Sequence, residues 1–237
     1  MNLFSKGVEA HLVELNQKKA FNIFRLSWDI EQHLSSFLMY TDFLMRGIGC
    51  EKDISRAAAE IIEAYRTTKH PRLLHQLALA MELLGEFTVS LKILDRGVLQ
   101  NSPECIHDFA RYIKEGIGIH ADVSKARLLF ETNVNTNDFI DSQVEIAFMD
   151  RDINQIRNLW LNYDNDKAFC YYMNHLMKIG REKDARDIVM EQWEERRNIH
   201  SLWYCGKLTE DKSYFQIGWD HFRDEKCLLE LQETKTS

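Results

Sequence analysis

An all-α fold built from consecutive antiparallel helix pairs is predicted by three features of this 237-residue sequence. First, the stretch Arg46-Gly47-Ile48-Gly49-Cys50-Glu51-Lys52-Asp53-Ile54-Ser55-Arg56-Ala57 returns as Glu115-Gly116-Ile117-Gly118-Ile119-His120-Ala121-Asp122-Val123-Ser124-Lys125-Ala126. Such self-similarity marks a repeat architecture. Second, Phe37, Tyr40, Phe43 and Leu44 precede one glycine pair at helical spacing, as Ile106, Phe109, Tyr112 and Ile113 precede the other. Third, 2 prolines and 10 glycines leave long stretches without a helix breaker.

Each glycine pair therefore closes a first helix, where glycine supplies the left-handed cap. Asp53 and Asp122 then stand as N-cap residues of a second helix. Because the glycines follow helices and not strands, a phosphate-binding loop is excluded by context. Ala110 and Thr41 in first helices, with Ala57 and Ala126 in second helices, are the small residues that close crossing requires.

The hairpins follow in order along the chain. Val8, His11 and Leu15 before Ala20, Phe24 and Ser27 give a hairpin over 3–34, and the first glycine-rich copy spans 35–70. Leu74, Leu77, Ala78 and Met81, then Ser90, Leu94 and Gly97, give a shorter one over 71–102, before the second glycine-rich copy over 103–137. The pattern blurs over 138–166 around Asp150-Arg151-Asp152, then recovers over 167–198 with Phe169, Tyr172, Met173 and Leu176 before Ala185, Val189 and Gln192. Trp203, Tyr204, Phe215, Trp219 and Phe222 pack a final hairpin over 199–230, beyond which the Lys-Thr-Ser end is expected to fray. About seven hairpins in one quasi-linear domain are predicted, each touching mainly its neighbours.

The Gly-x-Gly-x-x-x-Asp-x-x-x-Ala units resemble Sel-one-like repeats, and the shorter units resemble the related tetratricopeptide repeats. The resemblance is strong over 35–137 and 167–198 and weak elsewhere. It implies a right-handed α/α superhelix, a solenoid whose first helices line a concave face, and a non-enzymatic scaffold or adaptor that binds protein partners there. Within that role, an immunity or regulatory protein sequestering one target fits an acidic repeat protein of this size. The disulfide that some members carry within each repeat is not expected, since the units lack paired cysteines.

If first helices line the inner face, its open side lies one residue off the packing positions. The candidate partner-binding residues are then Ser35, Leu38, Asp42, Met45 and Arg46, followed by Arg72, His75, Leu79 and Glu82. Glu104, His107, Arg111 and Lys114 continue the strip, and Lys167, Cys170, Asn174, Met177 and Lys178 complete it. A peptide or a partner's helix would be held by polar anchors and by Leu and Met contacts.

His75 and His107 occupy equivalent places in adjacent units and should be neighbours. They support an alternative, an enzyme or metal-dependent site in the groove. No carboxylate or cysteine follows at a familiar metal spacing, and Cys105 with His107, Cys170 with His175 and His200 with Cys205 point to different helix faces. No catalytic residue, metal or cofactor is assigned. The acidic run Glu191 to Glu195 before Arg196-Arg197 is read as a solvated helix face.

A net charge of -7 disfavours nucleic acid, whose backbone demands excess Lys and Arg. No uncharged run approaches the roughly 18 residues of a membrane span. Five widely spaced cysteines suit reduced, packed thiols, and a cytoplasmic protein is expected.

Overall fold

A computed structural model describes residues 2–233, and every regular element among them is an α-helix. In chain order the helices are α1 (Leu3–Leu12), α2 (Gln17–Glu31), α3 (Leu34–Arg46), α4 (Ile54–Thr68), α5 (Arg72–Leu83) and α6 (Phe87–Leu99). Then come α7 (Pro103–Glu115), α8 (Val123–Asn137), α9 (Ile140–Met149), α10 (Ile153–Tyr163) and α11 (Asp166–Lys178). The last are α12 (Glu182–Glu194), α13 (Ser201–Thr209), α14 (Ser213–Phe222) and α15 (Glu225–Glu233). What the repeat pattern did not anticipate is α15, which carries helix past Glu230; Lys235, Thr236 and Ser237 lie outside the described residues.

Helix ends follow from local chemistry. Gly47 and Gly116 cap α3 and α7 in the left-handed region, with φ of 75° and 74°. The Asp122 side chain accepts the Lys125 N–H at 2.9 Å and so starts α8. The second glycine of each pair has a different task, since Gly49 and Gly118 lie against the first residues of α2 and α6. A Cβ on Gly49 would meet the Gln17 carbonyl at 2.3 Å, and one on Gly118 would lie 3.6 Å from Phe87. Each loop thus seats itself on the preceding hairpin.

Packing between successive hairpins turns on one position of the second helix. In α2 it is Ser27, whose Oγ accepts from Ser36 Oγ of α3 at 2.8 Å. In α8 it is Asn133, whose Nδ2 donates to Ser142 Oγ of α9 at 3.0 Å and to the Pro103 carbonyl at 2.9 Å. In α6 it is Gly97, where an added Cβ would sit 2.2 Å from Cys105 Sγ of α7. Only a small residue, or one that exchanges a hydrogen bond, lets the helices approach this closely. Thr41, Ala57, Ala110 and Ala126 are fully buried, in the packing role their size implied.

The chain divides into two compact units, one of residues 54–172 and one joining residues 1–53 to 173–237. In the first, α5 packs on α6, α7 on α8 and α9 on α10, and α5 also touches α7, so first helices of adjacent hairpins lie side by side. Ala110, Ile113, Ala126 and Phe130 form part of its core. In the second unit, contacts are not confined to neighbouring hairpins, contrary to the expectation from a linear array. His11 of α1 lies 5.2 Å from Phe222 of α14, ring centre to ring centre, because the two ends of the chain fold into one body.

Two glycine substitutions separate packing from backbone strain. Gly97→Ala should cost about 1–3 kcal/mol by overpacking against Cys105, and Cys105→Gly should be stabilising in that background although destabilising alone. Gly85→Ala has open space around it but a φ of 79°, and should cost about 1–2 kcal/mol from the left-handed backbone alone, insensitive to Cys105. Urea denaturation of the three single variants and of the two doubles that carry Cys105→Gly measures both effects.

Candidate functional site

The first helices of residues 54–172 carry a continuous ladder of charged side chains. On α7, Glu104, Asp108, Arg111 and Glu115 recur at three- and four-residue spacing and so share one face. Arg72 Nε of α5 reaches Glu104 Oε1 at 3.2 Å, and His75 Nε2 reaches Asp108 Oδ2 at 2.9 Å. Arg111 forks onto both Glu82 oxygens, at 2.8 and 3.3 Å, while its Nε contacts Asp108 Oδ1 at 3.3 Å. Tyr112 donates to Glu82 Oε2 at 2.9 Å. Thus α5 and α7 are tied by charge-assisted bonds, one of them bidentate.

The next rung centres on Glu145 of α9, whose side chain is 1% exposed. Lys114 Nζ from α7 lies 2.6 Å from its Oε2, and Lys167 Nζ from α11 lies 2.5 Å from its Oε1. Tyr171 of α11 donates to the same Oε1 at 3.1 Å. A buried carboxylate is costly unless it is paired and hydrogen-bonded, and three donors satisfy this one. Beside it Phe148 stacks on Tyr171 at 4.3 Å between ring centres.

The electrostatics follow from these pairings. Burial works to raise the Glu145 carboxyl, but Lys167 and Lys114 outweigh it and hold the group down at about 2. Asp108 likewise falls to about 2, burial being overcome by His75 and Arg111. Arg111 is held above its ordinary value: burial opposes its charge, and Glu82 and Asp108 more than offset that.

His107 turns aside from the ladder, being buried with its ring 5.4 Å from Phe130 and 5.6 Å from Phe139. Its Nδ1 lies 3.2 Å from Ser142 Oγ, and its Nε2 takes the Lys167 Nζ at 3.3 Å. An ammonium can only donate, so Nε2 is the acceptor and Nδ1 carries the proton. Burial first, then Lys167, depress this imidazole to about 4, which keeps it neutral near pH 7.

The expected strip is therefore partly redrawn. Arg72, His75, Glu82, Arg111, Lys114 and Lys167 are in the ladder, with Leu79 half-buried on the same helix as His75. His107, expected on the open side, faces the α8 and α9 side, and its neighbour Asp108 takes the ladder position. His75 and His107 consequently turn to different partners and do not converge. Among the described residues, no group of three or more His, Cys, Asp or Glu is placed to hold a metal ion. Burial pushes the Cys105 thiol up to about 11, which removes its nucleophilic form near neutrality.

The remaining candidates belong to the other unit. Met45, expected on the open side, is 1% exposed and packs in the interior. Arg46 is exposed and pairs with Asp42 at 3.0 Å, and Leu38 is half-buried. Asn174 and Lys178 are exposed and Met177 half-buried, with Asn174 Oδ1 accepting from Tyr204 at 3.1 Å. Glu145, Tyr171 and Asp108 were missed from sequence. The available signal was Glu145 itself, a charge set between Val144 and Ile146-Ala147 in the apolar second half of α9.

A tetratricopeptide repeat protein from Parabacteroides merdae aligns over 99% of this chain and 98% of its own, with a TM-score of 0.56 at 12% identity. The fold is that of the tetratricopeptide-like helical repeats. A Sel1 repeat protein from Oxalobacter formigenes matches 61% of the chain at a TM-score of 0.47 and 14% identity. A protective antigen of uropathogenic Escherichia coli strains displaying an SLR fold matches 96% at 0.44 and 16%. The chain spans 60% and 53% of these last two proteins' matched chains. No family model and no curated protein matches the sequence. No helix among the described residues is long and apolar enough to cross a membrane.

Glu145→Gln should cost roughly 2–4 kcal/mol at pH 7, below the usual figure for a broken buried pair because Lys114 and Lys167 reach water. The sign with pH is fixed by the depressed carboxylate: its contribution is present above 4.5 and fades as pH falls toward about 2. Urea titrations should show the wild type and Glu145→Gln converging below pH 4.5. For His107 the unfolded chain gains a proton below about 6.5 before the folded chain does, so stability declines from there toward pH 4. His107→Gln should flatten that limb.

Proposed function

We propose that this chain is a non-enzymatic scaffold that binds a protein or peptide partner along the face of its first helices. The observation that carries the reading is the ladder. It rigidifies a row of adjacent helices while leaving Arg72 exposed at one edge and Phe148 exposed beside Tyr171. A rigid face with polar anchors and a few apolar contacts suits a partner's helix or extended segment. Arg111, Lys114 and Lys167 are spent on internal pairs, whereas Arg72, although paired with Glu104, stays about half exposed. In residues 54–172 recognition rests on Arg72 and Leu79 more than on the buried rungs, and in the other unit Asn174, Met177 and Lys178 are the candidate contacts.

The narrower role of an immunity or regulatory protein sequestering one target is supported by the acidic net charge of -7 and the small size alone. A cytoplasmic setting is supported by the buried thiols of Cys105, Cys205 and Cys227.

Affinity measurement on a stoichiometric partner, isolated from source cells by the full chain, tests the proposal. Arg72→Glu and Lys178→Glu should each weaken binding about tenfold, or by about 1.4 kcal/mol, whereas Lys125→Glu on α8 should not. Equal affinities for all three variants would overturn the first-helix placement.

A further inference from the structure

Within the unit formed by residues 1–53 and 173–237, the end of α1 meets the end of α14. His11 is 7% exposed, with its ring 4.8 Å from Phe43 and 5.2 Å, edge-on at 74°, from Phe222. Phe222 is itself 3% exposed and approaches Trp193 at 6.5 Å. Next to it Arg223 caps α14 in the left-handed region and donates its Nε to the Gly47 carbonyl at 3.4 Å. Helices from opposite ends of the chain are thus joined by one aromatic cluster and one hydrogen bond.

The protonation state of His11 is legible from its partners. Its Nδ1 lies 2.6 Å from Gln17 Oε1, and Gln17 Nε2 donates back to the His11 carbonyl at 3.2 Å. Since the amide oxygen only accepts, Nδ1 carries the hydrogen. A second proton would go to Nε2, which has no hydrogen-bond partner among the described residues. His11 is only 7% exposed, so the added charge would sit largely desolvated against the rings of Phe43 and Phe222, at part of the cost of burying such a group.

We propose that this cluster is a proton-sensitive clasp, closed while His11 is neutral and released when its imidazole takes a second proton. The surrounding charges set the balance. On α3, Asp42 favours the imidazolium and Arg46 opposes it, and the two already pair with each other at 3.0 Å. From α2 the group faces the neutral Gln17, and on α14 Phe222 is flanked by His221 and Arg223. Burial is the largest influence and lowers the imidazole below its ordinary 6.5. The sign follows: in the open state His11 titrates near 6.5, so closure is fully favoured above that pH and loses ground as pH falls below it. At pH 5.5, one unit below the open-state value, the open form can gain at most about tenfold.

Hydrogen exchange of the full chain at pH 7.5 and 5.5, corrected for intrinsic rates, tests the clasp. Wild-type segments around His11 and Phe222 should lose protection at the lower pH, by at most about tenfold, while α7 does not. Phe222→Ala should exchange in both segments at pH 7.5 as the wild type does at 5.5, and His11→Phe should stay protected at both. Three results would each overturn the proposal: unchanged wild-type protection, an equal loss in α7 that marks global destabilisation, or the same pH response in His11→Phe. Should His11→Phe fail to fold, an imidazole titration midpoint for His11 at or above 6.5, read by NMR on the wild type, overturns it equally, and a midpoint below 6.5 supports it.

Discussion

In α2, α6 and α8 the second helix of a hairpin closely approaches the first helix of the next, and one position on it decides whether it can. A long unbonded side chain there would hold the helices apart, so the position carries Ser27, Gly97 or Asn133. Where the residue is polar it hydrogen-bonds to a serine nine residues on, Ser36 or Ser142. Where it is glycine, the facing Cys105 fills the space. The fully buried Ala57, Ala110 and Ala126 meet the same constraint, and the aromatic side chains around them close-pack only because backbone separation is fixed first.

Once residues 72 to 171 are stacked in this way, the first helices bring charges together that are far apart in sequence. Glu82 and Arg111, or Lys114 and Glu145, can meet only after the helices are in place. Their value lies in satisfying groups that stacking has already buried, and so in fixing one register among several that apolar packing would tolerate. The most charged stretch of the face is therefore held in internal pairs, and Arg72 lies exposed at its margin.

The glycine-rich repeats set the ends of α3 and α7 and the start of α8, because left-handed caps and aspartate N-caps are local chemistry. The expected site was less legible. His107 and Asp108 are consecutive, and a rotation of one residue position decides which of them faces the ladder. Met45 was placed outside by the same one-residue step, yet it is buried. Glu145 escaped notice because its helix lies in the unit where the repeat pattern is weakest, so no register pointed at it.

Sequence alone thus determined the class of fold, the succession of hairpins and the places where helices cross closely, since each depends on spacing and on the size of single residues. Tertiary structure alone decided which charges pair, which of two adjacent side chains faces outward, and that His11 meets Phe222. Those outcomes depend on the angle and register between elements distant in the chain, and the period of one helix carries no information about them.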